Sequence, residues 1–286
     1  MIKEAIAKLV EGKSLTENEA EIVMSEIMRG EATPSQISAF LVSLRIKGET
    51  LEEITGCAKA MRASAIKVMP DSALLVDTCG TGGDGLSTFN ISTLVAFVAA
   101  AAGLAIAKHG NRSVSSICGS ADLLQALGVK IEMEPQKVAA CIDKVGLGFL
   151  FAPLLHPAMK YAMPTRKEIG IRTIFNILGP ITNPASAQVQ LLGVYDPGLT
   201  IILAQVLGRL GSQKAMVVHG ADRLDELSTT GVNSIAELRD GKVKSYQLDP
   251  QKLGLSRARL EDLKGGSPQE NAEIALSILR GKKGPK

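Results

Sequence analysis

Up to Pro70 the chain reads as one helix after another. Beyond it, short apolar runs alternate with helical stretches, and that switch limits the folds open to it. In the first part, Thr16 followed by Glu19 forms a capping box ahead of Ile22, Val23, Ile27 and Met28. Pro34 sits at a first-turn position ahead of Ile37, Phe40, Leu41 and Leu44, and 51–66 reads as a further helix. Beyond Pro70, strands are expected at 73–76, 104–107, 148–151, 190–195, 215–219 and 243–248. Helices are expected at 91–102, 121–127, 200–210 and 271–279. Such alternation implies an α/β fold, with a mostly parallel central sheet flanked by helices, beside a small all-helical domain. Met163 to Pro184 breaks the pattern, with an Arg-rich start, the run Ile174-Phe175-Asn176-Ile177-Leu178 and two prolines at its end. It is expected to pack with the first helices. The helical domain is then 1–70 plus about 163–186, and the α/β domain 71–162 plus about 187–286.

Composition narrows the partners. The 286 residues carry a net charge of +3, too balanced for a nucleic-acid binder, and only nine aromatics (six Phe, three Tyr) are available to stack bases. Cys57, Cys79, Cys118 and Cys141 are far apart, as are His109, His156 and His219, so neither a zinc site nor a disulfide framework is expected. Reduced thiols suit a cytoplasmic protein. Residues 2–10 form an amphipathic pattern rather than a signal peptide. The longest apolar run, 94–107, is 14 residues, short of the roughly 20 that span a bilayer. It is read as a buried helix running into a buried strand, with no membrane partner.

Three loops dominate 75–121. Gly80-Thr81-Gly82-Gly83-Asp84-Gly85 follows an apolar run, Asn90-Ile91-Ser92-Thr93 opens a long apolar helix, and 108–120 follows a second apolar run. From Gly85 to Ala121 there is no Asp or Glu. Main-chain N–H groups in glycine turns and at helix starts cradle phosphate oxygens, which a neighbouring carboxylate would repel. The stretch therefore points to a small molecule with more than one phosphate group. Ser87, Thr88, Asn90, Ser92 and Thr93 offer further groups for phosphate, and one or two of them are expected to cap the helix.

Gly80, Gly82 and Gly85 also satisfy the G-x-G-x-x-G pattern of dinucleotide sites. That pattern needs an acidic residue about 20 positions on to hold ribose hydroxyls. Here the position offers Lys108-His109-Gly110, the next carboxylate after Asp84 is Asp122, and the helix starts late. A nucleotide P-loop fails as well, since no Gly-Lys-Ser/Thr follows. Asp225-Glu226, just after an expected strand, reads from spacing alone either as a solvated turn or as a pair of magnesium ligands.

Several strings in order resemble the anthranilate phosphoribosyltransferase family. They are Gly80-Thr-Gly-Gly-Asp-Gly, Asn90-Ile-Ser-Thr, Lys108-His-Gly-Asn-Arg, Gly119-Ser-Ala-Asp, 151–159, 172–180 and Asp225-Glu226. The resemblance implies transfer of the phosphoribosyl group of 5-phosphoribosyl 1-diphosphate to the amine of anthranilate, with Mg2+, by a homodimer joined through the helical domain. It implies phosphoribosyl diphosphate contacts from Gly80, Gly82, Gly83, Asp84, Thr88, Asn90, Ser92, Thr93, Lys108, Gly110, Asn111, Arg112, Ser113, Ser115, Ser116 and Ser120. Anthranilate contacts are implied at Gly80, His109, Asn111, His156, Arg166 and Pro180, and metal ligation by Ser92, Asp225 and Glu226. Because the acceptor residues come from both domains, hinge closure is expected.

The chain departs from the family pattern in two places. Arg223 stands where Gly usually precedes Leu-Asp-Glu, which predicts a crowded metal loop or a local ion pair. Family members also continue into further helical sequence beyond 286. No residue is assigned as acid or base, since an aromatic amine is neutral at pH 7; positioning and charge stabilisation carry the rate. The rival readings are a pyrimidine-nucleoside phosphorylase, which uses inorganic phosphate, and a non-catalytic phosphosugar-binding protein.

Overall fold

The computed structural model describes residues 1–113 and 117–286. The first stretch folds into α1 (Ile2–Val10), α2 (Glu17–Met28), α3 (Pro34–Lys47) and α4 (Leu51–Ser64). The next holds β1 (Leu75–Gly80), α5 (Ile91–Ala101), β2 (Ala105–Gly110), α6 (Ser120–Ala126), α7 (Pro135–Val145), β3 (Leu147–Phe151) and α8 (Ala152–Leu155). Then come α9 (Met163–Ile169) and α10 (Phe175–Ile181). The chain closes with β4 (Val189–Gly193), α11 (Leu199–Arg209), β5 (Lys214–His219), β6 (Asn233–Arg239), β7 (Lys242–Leu248) and α12 (Pro268–Leu279). None of the helices is long and apolar enough to cross a membrane among the described residues.

The helical unit comprises Met1–Lys67 and Pro153–Pro184. Its second segment starts at Pro153 rather than about 163, because the Leu155 carbonyl accepts from Ile66 N–H at 2.9 Å and Leu155 is buried. Thr16, Thr33 and Thr50 each accept from the backbone three residues on, while Glu19, Gln36 and Glu53 reach back. The core is apolar, with Val23, Met24, Ile27, Phe40, Leu41 and Leu44 fully buried.

The α/β unit comprises Val68–Ala152 and Ala185–Lys286. Its seven strands run β3-β2-β1-β4-β5-β6-β7. The strands from β3 to β5 are parallel, and β6 and β7 extend the sheet antiparallel. The sequence reading lacked β6 and α7, and it ended β1 and β2 at Val76 and Ala107. Both strands continue to a glycine, because Asp77, Thr78, Lys108 and His109 are polar yet buried. The apolar helix α5 is only half-buried: Thr93, Leu94 and Ala96 face the core, while Val98 is 56% exposed.

Candidate active site

Three neighbouring strands end at the site, and their ends are built differently. In the β1–β4 ladder the last pair is Gly80 with Gly193. The β1–β2 ladder ends earlier, at Val76 with Ile106, whereas β2–β3 continues to Gly110. Side chains fill the resulting gap. The Asp77 carboxylate, fully buried, accepts from His109 N–H at 3.1 Å, and the Lys108 ammonium donates to the Thr78 carbonyl at 2.5 Å. Lys108 is 2% exposed, and its Nζ also lies 3.4 Å from Ser92 Oγ. Burial pulls its pKa down, opposed by the charges of Asp77 and Glu226.

The glycine pair makes room for the acidic loop. A Cβ on Gly193 would overlap the Asp225 carbonyl oxygen, and one on Gly80 would overlap the Asp225 carboxylate. Asp225 thus lies over the sheet ends, 9% exposed, its Oδ2 accepting from Gly82 N–H at 2.6 Å. Glu226 Oε1 accepts from Ser92 N–H, in the first turn of α5, at 3.0 Å. Burial, and then the charge of Asp84, push the Asp225 carboxyl up to about 7. Burial, and then Asp225, push Glu226 to about 8. Such a pair is short of positive charge. It offers oxygen donors only, and no group of three or more His, Cys, Asp or Glu side chains able to hold a metal occurs among the described residues. Two carboxylates with the Ser92 hydroxyl fit a hard cation that keeps most of its water, as Mg2+ does.

The glycine loop itself is latched to β4. Thr81 N–H donates to the Gly193 carbonyl at 2.9 Å, and Thr81 Oγ1 accepts from Tyr195 N–H at 3.2 Å. Gly82 and Gly83 take φ of 65° and 82°, so glycine is needed there. Thr88 bridges to Lys264, and Phe89 N–H donates to the Leu263 carbonyl. Thr93 is buried, and its Oγ1 has no hydrogen-bond partner among the described residues. No side chain caps α5, contrary to the expectation for 87–93. Asn90 donates instead to the Cys118 carbonyl at 2.9 Å.

In the third loop, Ser120 Oγ donates to the Asn111 carbonyl beside Gly110 at 3.2 Å. Asp122 organises the rest, accepting from Ser113 N–H and Gly119 N–H. The Arg112 guanidinium is engaged by Asp122 and Gln125, at 3.1 and 2.9 Å, and lies over the Phe151 ring. Ser115 and Ser116 lie outside the described residues.

The expected acceptor residues divide between the units. Gly80, His109 and Asn111 belong to the α/β unit, and His156, Arg166 and Pro180 to the helical unit. Burial holds His156 down to about 4, so its ring is neutral at pH 7. The Arg166 guanidinium carbon lies over the Phe175 ring, 5.0 Å from its centre. Pro180 sits inside α10.

Arg223 does not crowd the acidic loop. Its side chain is exposed, and the anomaly is in its backbone: Asp222 and Arg223 have φ of 59° and 68°. A position at +68° favours glycine, which is the physical reason for glycine in the family pattern. Sequence reasoning missed Asp77 and Gly193. Asp77 looked like the polar end of a strand, and nothing local to Gly193 announces the loop that crosses it.

The comparisons agree along the chain. The helical bundle domain of the glycosyl transferase family matches residues 3–65, and that family's a/b domain matches residues 72–286. The chain is 57% identical to the anthranilate phosphoribosyltransferase of Acetivibrio thermocellus, covering 100% of this chain and 83% of that protein. It is 58% identical to the same-named protein of Moorella thermoacetica, covering 100% and 84%. Among solved structures, the anthranilate phosphoribosyltransferase of Thermus thermophilus matches with a TM-score of 0.93 at 48% identity, over 98% of this chain and 84% of that one. The Saccharomyces cerevisiae enzyme in complex with phosphoribosyl diphosphate and Mg matches with a TM-score of 0.88 at 30% identity, over 99% and 82%.

Proposed function

The chain belongs to the anthranilate phosphoribosyltransferase family, and from that membership we infer how its residues share the reaction. The protein transfers the phosphoribosyl group of 5-phosphoribosyl 1-diphosphate to the amine of anthranilate, releasing diphosphate, in tryptophan biosynthesis. Its relatives favour this over nucleoside phosphorolysis.

Breaking the anomeric bond builds positive charge on the ribosyl ring and negative charge on the departing diphosphate. Donors already in place before the reaction stabilise that charge most effectively. Gly83, Asn111 and the Lys108 ammonium supply them, joined by the Gly82 and Ser92 N–H groups where the substrate displaces the carboxylates they now hold. Asp225, Glu226 and Ser92 would hold Mg2+, which as a Lewis acid neutralises charge on the diphosphate. Arg166 presents its planar fork to the anthranilate carboxylate. His156, neutral at pH 7, contacts the acceptor without taking its proton, since the aromatic amine already has a free lone pair. A second copy docks through the helical unit, where Val10 and Ile46 are 72% and 81% exposed. We take the protein to act in the cytoplasm, in keeping with a role in amino-acid biosynthesis.

The observation that carries the metal assignment is the Asp225-Glu226 pair, set over a glycine floor and bonded to Gly82 and Ser92. Loss of anthranilate fluorescence on adding phosphoribosyl diphosphate and Mg2+ tests it. Asp225→Asn combined with Glu226→Gln should lower kcat/KM by about a thousandfold or more. A double variant with near wild-type turnover would remove the metal assignment.

A further inference from the structure

Helix α12 lies outside every motif that points to the substrate, yet one of its side chains reaches the start of α5. Its apolar face packs Ala272 and Ala275 against Phe89, Leu94, Cys118 and Leu123. That docking buries Asn271, 2% exposed, beside the site. Asn271 Oδ1 accepts from Gly266 N–H at 2.9 Å, and its Nδ2 donates to Asn90 Oδ1 at 3.0 Å. Asn90 Nδ2 in turn donates to the Cys118 carbonyl at 2.9 Å. The direction of this relay is fixed at both ends, because a main-chain N–H only donates and a carbonyl only accepts. Neither amide can flip without facing donor to donor or acceptor to acceptor.

The consequence falls on α5. Asparagine at an N-cap ordinarily accepts from the N–H of the second or third helical residue. Asn90 holds that position, but its oxygen is turned to Asn271 Nδ2, and α5 has no side-chain cap. The second-residue N–H, on Ser92, goes instead to Glu226.

We propose that Asn271 is a positioning residue of the phosphoribosyl diphosphate site: it turns Asn90 away from its own helix and so leaves the Ser92 N–H to Glu226 among the substrate loops. This rests on the reading that the diphosphate binds at that helix start. Asn271→Asp keeps the shape and the bond from Gly266 but removes the donor to Asn90, leaving Asn90 Oδ1 free to cap α5. Asn271→Ser breaks the relay by shortening it. In the enzyme with Mg2+, each variant should raise KM for phosphoribosyl diphosphate about fivefold, roughly the worth of one net hydrogen bond. KM for anthranilate should stay unchanged.

Unchanged KM for phosphoribosyl diphosphate in both variants would overturn the proposal. So would a parallel rise in both KM values that tracks a fall in melting temperature, since that is what a purely structural residue produces. Ser92→Ala and Asp225→Asn separate the two levels. If they raise KM for phosphoribosyl diphosphate and the Asn271 variants do not, only the positioning role falls. If they also leave it unchanged, the site reading fails as well.

Discussion

Helices α2, α3, α4 and α12 begin alike, and α5 begins differently. Each of the four carries a Thr or Ser cap and a Glu or Gln three residues on that closes the box. Everything their first turns need lies within four residues. Helix α5 has a capping residue in place, Asn90, and its side chain bonds elsewhere. Its second N–H is satisfied by Glu226, 134 positions along the chain. The scaffold helices satisfy their own ends; in α5 the Ile91, Thr93 and Leu94 N–H groups bond to the Phe89 and Asn90 carbonyls, and the Ser92 N–H is left to a distant group. An N-terminus sealed by its own side chain has fewer donors left for a phosphate.

The sharpest way to break this contrast is Gly193→Ala. The added methyl meets the Asp225 carbonyl, so the acidic loop must shift and Glu226 loses its seat on α5. We expect kcat/KM to fall about a hundredfold or more, as for loss of a key site donor. Wild-type activity would show that the acidic loop does not depend on the glycine floor.

The next effect lies in the helical unit, where His156 is 7% exposed. Its folded pKa of about 4 lies below the ordinary 6.5, so the unfolded chain binds the proton more readily. The associated stability is present above pH 6.5 and is lost as pH falls toward 4. It amounts to about 3 kcal/mol at most. Denaturant melts across that range should show the slope, and His156→Asn should flatten it. An unchanged slope in the variant would assign the acid sensitivity to other groups.

Thr50→Ala should cost about 1 kcal/mol through its lost cap while leaving kcat/KM intact. A matching loss of activity would mean that the scaffold caps are not independent of the site. The smallest change is a gain. Arg223→Gly relieves a left-handed backbone but adds freedom to the unfolded chain, for a net stabilisation of about 0.5 kcal/mol. Thermal melts of the two proteins measure it directly.

Much of the scaffold was legible because its signals are local. Thr16 with Glu19 and Pro34 at a first turn need no partner outside their own helix. The turn at 80–85 was legible because its glycines mark it, and Gly82, Gly83 and Gly85 all take positive φ. The reading failed where polarity and burial part company. Asp77 and Lys108 are charged residues inside strands, each satisfied by a group on the neighbouring strand. A periodicity rule counts such residues as strand ends. One or two of Ser87, Thr88, Asn90, Ser92 and Thr93 were expected to cap α5, but the Asn90 side chain bonds to Asn271 on α12 and to the Cys118 carbonyl.

By itself, the sequence determined the two classes of structure, the helix starts of the scaffold and the positions of the glycine-rich turns. Each depends on residue types within one or two turns of chain. Only the tertiary structure decided that Gly80 and Gly193 clear a seat for Asp225, that Glu226 meets Ser92, and that Asn271 directs Asn90. These are meetings of groups far apart along the chain. Their geometry is set by strand order and helix docking, and burial then makes every unmatched donor or acceptor costly enough to fix which group faces which.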